Sequence, residues 1–192
     1  MKKKIFVFLF NGYSDWEIAY LAPEIKKSDV YELVYFSKDG KPVQSMGGLC
    51  VLPEMSFPEI NINHVYMLIL PGGTAWEIGE NREIDLFIKT LFAEKRTIAA
   101  ICGATIYLGQ QGVLNNLKHT SIDLNYLKGV APNYSGEKSY INSLAVTDEN
   151  LITANGVAPI EFAREIFTKL KLMKDDEIEK WFQLFKNGLW SE

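Results

Sequence analysis

This chain of 192 residues has little imidazole and little thiol: two histidines, His64 and His119, and two cysteines, Cys50 and Cys102. So few cysteines argue against a disulfide framework and for a reduced, cytoplasmic setting. The four soft ligands do not cluster, which argues against a structural zinc site, and no motif asks for a metal or another cofactor. No apolar run is long enough to span a bilayer, so no membrane partner is expected. Basic residues do not gather, apart from Lys2-Lys3-Lys4. A net charge of −4 gives no electrostatic reason to expect nucleic acid.

The lysine cluster precedes Ile5-Phe6-Val7-Phe8-Leu9-Phe10, the arrangement of a signal peptide. The run is short for that purpose and no small-residue cleavage site follows. Asn11-Gly12-Tyr13-Ser14-Asp15 reads as a strand-to-helix turn, which makes the run a first strand.

What is present is a globular composition, 47% apolar and 23% charged, on a length that suits one domain over 1–192. Apolar runs alternate with helical spacing. Strand-like segments are expected at Lys4–Phe10, Tyr31–Ser37, Tyr66–Leu70, Thr97–Ile101, Leu144–Thr147 and Leu151–Asn155, with a short strand at His119–Ile122. Pro42–Leu52, with Gly47-Gly48 at its centre, reads as a small hairpin. Helices are expected at Asp15–Lys27, Asn81–Lys95, Asp123–Lys128, Pro159–Leu170 and Asp175–Trp190. The core therefore covers about 4–170, with a helical extension at about 175–190. Such alternation implies an α/β fold whose parallel sheet is covered on both faces and binds ligands at the carboxyl ends of its strands.

Three strand ends carry chemistry. The run Thr97–Ile101 leads into Cys102-Gly103-Ala104, where a thiol sits on a turn over the free N–H groups of a new helix. Those groups favour thiolate over thiol. Cys102 is then a nucleophile, a redox sensor or a small buried hydrophobe. Cys50, inside the hairpin, has no such setting and reads as the last of these. The first strand leads to Asp15-Trp16-Glu17. Glu17 is either a helix-end acid complementing the dipole or a partner of Cys102. Ionised, it raises the thiol pKa by repulsion; protonated, it donates to the thiolate and lowers it, and on that reading Glu17→Gln raises the Cys102 pKa. The strand ending at Leu70 leads to Pro71-Gly72-Gly73, either a tight turn or, with Gly103, a set of oxyanion donors. Asp15, Trp16, Trp76 and Tyr107 are either pocket residues or packing.

Four segments carry a resemblance: Phe10-Asn11-Gly12-Tyr13-Ser14-Asp15-Trp16-Glu17, Ile69-Leu70-Pro71-Gly72-Gly73, Ala99-Ala100-Ile101-Cys102-Gly103-Ala104, and Leu151 through Ala163. In this order they resemble the DJ-1/PfpI (ThiJ) family of the class I glutamine amidotransferase-like superfamily, over about Lys4 to Leu170. The resemblance implies a flavodoxin-like three-layer sandwich with a mostly parallel sheet, Cys102 on a nucleophile elbow and Glu17 as its carboxylic partner. It also implies a possible homodimer, for which the aromatic segment around Trp181, Phe185 and Trp190 is either the interface or packing against its own sheet. Family activities include proteases, amidases, glyoxalase-type hydratases, isonitrile hydratases, chaperones and oxidative-stress sensors, so fold does not settle function.

The family's histidines are the gap. The protease-like branch has His directly after the nucleophile, where this chain has Gly103; the amidotransferases have His-x-Glu where it has Pro159-Ile160-Glu161. The DJ-1-like histidine falls on Ser121, two residues after His119. Residues i and i+2 of a strand share a face about 6.6 Å apart. His119 is thus the remaining catalytic candidate or a satisfied strand histidine, and His64 lies at the wrong end of its strand. The expectation is a cysteine-dependent hydrolase, amidase or glyoxalase-like enzyme acting on a small carbonyl, amide or nitrile-like substrate. The alternative is a non-enzymatic stress-response protein sensing oxidants through Cys102.

Overall fold

A computed structural model describes residues 2–190. Seven strands form the main sheet in the order β5-β2-β1-β6-β7-β9-β8. They are β1 (Lys3–Phe8), β2 (Tyr31–Ser37), β5 (Met55–Ser56), β6 (Val65–Leu70), β7 (Thr97–Ile101), β8 (Ala145–Asp148) and β9 (Leu151–Ala154). All pairs are parallel except β8 with β9. β6, β7 and, from Ile5 onward, β1 are apolar runs with almost every side chain buried, as strands covered on both faces must be. Asp148-Glu149-Asn150 turns the chain back to pair the edge strand β8 with β9. A separate two-stranded hairpin pairs β3 (Val43–Gln44) with β4 (Cys50–Val51).

Helices flank the sheet. α1 (Trp16–Ala19), α2 (Leu21–Lys26), α6 (Pro159–Leu170) and α7 (Asp175–Asn187) pack on one another, while α3 (Asp85–Ala93), α4 (Gly103–Gln110) and α5 (Leu124–Val130) form the second group. The result is the α/β sandwich expected. Its strand order reverses between β1 and β6, the place where such sheets bind ligands.

Several local expectations change. Asp15–Lys27 is two short helices meeting at Tyr20, with Pro23 accommodated in the first turn of α2. The segment Asn81–Lys95 opens with a tighter turn at Arg82–Ile84 before α3. His119–Ile122 does not form a strand; it makes one bridge, His119 with Tyr140. Side chains hold its backbone instead: Thr120 N–H donates to Thr153 Oγ1, and Asn155 Nδ2 donates to the carbonyls of Ser121 and Ile122. Trp181 is buried edge-on against Phe167, so this part of the aromatic segment is internal packing; Trp190 lies beyond α7 and is exposed.

Candidate active site

β7 delivers the chain to Cys102, which takes φ 57° and ψ −130° before α4 starts at Gly103. A residue with a Cβ pays about 1–3 kcal/mol to sit in such a region, so neighbours must hold it there. The Cys102 N–H donates to Ala154 O at 3.0 Å. Its carbonyl accepts from Thr105 twice, from N–H at 2.9 Å and from Oγ1 at 2.6 Å. Ser121 Oγ stands 2.7 Å from Thr105 Oγ1. With the Thr105 proton committed to Cys102, Ser121 is the donor. The elbow is thus tied to β9 on one side and braced by two buried hydroxyls on the other.

Parallel pairing places the other strand ends beside it. β6 pairs Leu70 with Ala100, and β9 pairs Ala154 with Ile101, so Gly72 and Gly156 pass next to Cys102. A Cβ on Gly72 would lie 2.6 Å from the Cys102 Cβ and 2.8 Å from Glu17 Oε2; one on Gly156 would lie 2.7 Å from the Cys102 sulfur. Only glycine allows these approaches. Gly156 was invisible as a site residue in the sequence, although Asn155-Gly156 directly follows an apolar strand.

Glu17 is fully buried. Ser14 N–H donates to Gly72 O at 3.0 Å, and Gly72 N–H donates to Glu17 Oε2 at 2.5 Å. The two loops therefore lock each other and fix the carboxyl group. Its Oε1 is buried with no hydrogen-bond partner, the oxygen with capacity for a proton. Burial pushes the Glu17 carboxyl up to about 7, against the Gly72 N–H, Cys102 and Ser14, which favour its ionised form. Burial, and then the Glu17 carboxylate, pushes the Cys102 thiol up to about 12; the Gly103 N–H works in the opposite direction. Burial and the Glu17 carboxylate therefore work against the thiolate and outweigh the Gly103 N–H. For the same reason the direction expected for Glu17→Gln reverses, because removing the carboxylate charge removes a cause of the raised thiol pKa.

Other expected site residues are placed elsewhere. Gly72 cannot serve as an oxyanion donor because its N–H is given to Glu17. Asp15 accepts from Ser45 Oγ at 2.7 Å and anchors the hairpin over the first turn. Trp16 points outward, 44% exposed. Trp76 and Tyr107 are core: their rings stack 4.7 Å apart, Trp76 Nε1 donates to Pro71 O, and the Tyr107 hydroxyl donates to Asp85. Cys50 is exposed rather than buried. His119 is buried with Nδ1 bonded to Leu117 O and Nε2 to the Tyr134 hydroxyl, both at 2.7 Å. Both ring nitrogens are committed away from Cys102, and burial pushes its pKa down. Glu77, which accepts from the Tyr126 hydroxyl, adds a further negative neighbour raising Cys102; neither residue stood out in the sequence.

What remains at the elbow is a thiol beside a carboxyl group that titrates near neutrality, without an imidazole. Residues 3–169 match the family model described as the DJ-1/PfpI family. The chain is 40% identical over 193 residues to an uncharacterized protease, YoaZ, of Bacillus subtilis, covering 96% of this chain and 91% of that one. A solved thiJ/pfpI family protein from Bacillus anthracis superposes with a TM-score of 0.92 at 37% identity, covering 98% of this chain and 92% of the other. The DJ-1 superfamily protein Atu0886 from Agrobacterium tumefaciens gives 0.87 at 36%, with 96% and 97% covered. The names of more distant relatives include deglycase and isonitrile hydratase. Among the described residues no helix is long and apolar enough to cross a membrane.

Proposed function

The chain belongs to the DJ-1/PfpI family, and from that premise we propose that it is a cysteine-dependent enzyme of hydrolase type whose chemistry is run by a Cys102–Glu17 pair on small carbonyl compounds. The observation that carries this reading is the buried Glu17 carboxyl group, raised to about 7 beside the thiol. A general base works best when its pKa lies near the working pH. Glu17 meets that requirement, and His119 does not reach the role because both of its nitrogens are occupied.

The proposed first step is addition of the thiol to the carbonyl. The Cys102 sulfur bonds to the carbonyl carbon as the C=O π bond opens onto oxygen. The thiol proton passes to Glu17, and Glu17 then returns it to that oxygen, giving a neutral hemithioacetal. Gly73 and Gly103 are the amides proposed to steady the oxyanion. The backbone of Gly72 and Gly156 passes so close to Cys102 that neither position has room for a Cβ, an enclosure that favours small electrophiles. The names of relatives include protease, deglycase and isonitrile hydratase, activities on an electrophilic carbon with which such an adduct is compatible. An oxidant sensor needs thiolate at neutral pH. Burial and Glu17 oppose that form here.

Consumption of glyoxal, methylglyoxal, small amides and small nitriles by the purified protein tests the reading. Wild type is expected to consume at least one aldehyde, with a mass shift confined to Cys102, and Cys102→Ser to consume none. If no probe is consumed while dilute peroxide adds oxygen to Cys102 and not to Cys50, the sensor reading replaces it.

A further inference from the structure

The opposite edge of the sheet carries a charge pattern unlike the rest of this acidic chain. Two adjoining hollows of about 490 and 450 Å³ run along the amino-terminal ends of β1, β6 and β7 and share Tyr66 and Arg96 in their walls. Their cations are Lys2, Lys3, Lys4, Lys95, Arg96 and Lys169, against two carboxylates, Glu32 and Glu94. Those carboxylates are already engaged, Glu32 with Lys4 at 3.9 Å and Glu94 with Arg96 at 3.5 Å. The other four cations have no carboxylate partner among the described residues. Lys2 and Lys169 donate to the carbonyls of Ser28 and Glu149, and Lys3 lies over the Tyr66 ring at 4.5 Å. Among the described residues Lys95 has no such contact. Like charges gathered around a concave surface repel, and an anion relieves that repulsion.

We propose that this groove binds an oligophosphate, two or more linked phosphate groups, free or as the tail of a nucleotide. The combined space suits a small molecule. The spread of cations across two hollows suits linked phosphates better than a single one, since the ammonium and guanidinium donors can each take a different oxygen. Nucleic acid fits worse, because the chain is net negative and has no other basic cluster along its sequence to continue a phosphate track. The groove is remote from Cys102: Thr97 lines it, and the whole length of β7 lies between. Occupancy is therefore independent of the Cys102–Glu17 chemistry.

Calorimetric titration with inorganic triphosphate tests this, alongside ATP and adenosine. Triphosphate is expected to bind wild type and Cys102→Ser equally, and to weaken as salt rises. Lys3→Glu and Arg96→Glu are each expected to weaken it about tenfold, the loss of one charged contact. Should Arg96→Glu fail to fold, Lys95→Glu, whose side chain has no partner to lose, supplies the same reading. Equal affinity for ATP and triphosphate assigns the site to the phosphate chain alone, and tighter ATP binding assigns it to a nucleotide. No triphosphate binding at about 0.1 M salt, unchanged affinity in the charge reversals, or adenosine binding as tightly as ATP overturns the proposal. So does binding of duplex DNA or anionic vesicles without binding of triphosphate.

Discussion

Glu17→Gln lowers turnover by about 10²–10⁴-fold, the usual weight of a positioned acid–base group, and in the same protein raises folding stability above neutral pH. The two effects share one cause. In the folded chain the Glu17 carboxyl is held at about 7, against 4.5 for an unperturbed glutamate. A carboxyl raised on folding keeps the native state at full stability below about pH 4.5 and weakens it as pH rises through 7, because the unfolded chain ionises first. At about 1.36 kcal/mol per pH unit the gap is worth about 3 kcal/mol. Glutamine keeps an oxygen to accept from Gly72 N–H and carries no charge. Denaturant midpoints of wild type and variant should therefore agree near pH 4 and separate by up to about 3 kcal/mol at pH 8. A separation that is largest at low pH would show that Glu17 is not the group responsible.

Kinetics separate the base from the thiol. With Glu17 as proton acceptor, wild-type kcat/KM rises through about pH 7, where Glu17 ionises. Glutamine cannot take the proton, so that rise disappears. The thiol meanwhile loses a negative neighbour and ionises more readily than before, although burial still holds it up. Alkylation of Cys102 by iodoacetamide at pH 9 should be no slower in Glu17→Gln than in wild type, while turnover collapses. If alkylation falls in step with turnover, Glu17 acts by supporting the thiolate and not by moving protons.

The elbow was legible because it is local. Apolar Thr97–Ile101, one thiol and two small residues are contiguous in sequence, and both that strand and α6, with Pro159 at its start, stand where periodicity puts them. Glu17 and Pro71-Gly72 were readable because they too follow apolar strands, and a parallel sheet brings neighbouring strand ends together. Three kinds of fact were not local. The role of Gly156 depends on the β7–β9 register, across more than 50 residues of chain. His119 is decided by Leu117 and Tyr134, partners that no spacing rule names. The sequence left the Cys102 pKa open between the helix start and an ionised or protonated Glu17, and it gave no measure of burial, which with the Glu17 carboxylate outweighs the Gly103 N–H in the folded chain. Trp76 and Tyr107 show a fourth limit: near a site, large aromatics read equally well as pocket or core, and here they stack within the core.

Gly156→Ala gives the sharpest test of how tightly the elbow is enclosed. Gly156 is not among the glycines with positive φ, so alanine suits its backbone, and any effect comes from contact. The new methyl would lie 2.7 Å from the Cys102 sulfur and 3.1 Å from its Cβ. Neither neighbour gives way easily: the Cys102 backbone is held by Ala154 and Thr105, and Gly72 passes so close to its Cβ that it has no room for a Cβ of its own. Overpacking of this kind costs about 1–3 kcal/mol, and displacing the sulfur from Glu17 should remove most of the turnover. Gly129→Ala, next to last in α5, is the matched control, with nothing within 4 Å of the added methyl; a glycine replaced by alanine where the backbone suits it should gain about 0.4–1 kcal/mol. The cause is isolated in a Cys102→Gly background, which removes both the sulfur and the Cβ and also relieves the positive φ. There Gly156→Ala should cost almost nothing, so the coupling between the two positions should equal nearly the whole single-variant cost. An equal cost in both backgrounds would place the strain elsewhere and leave Gly156 a bystander to the elbow.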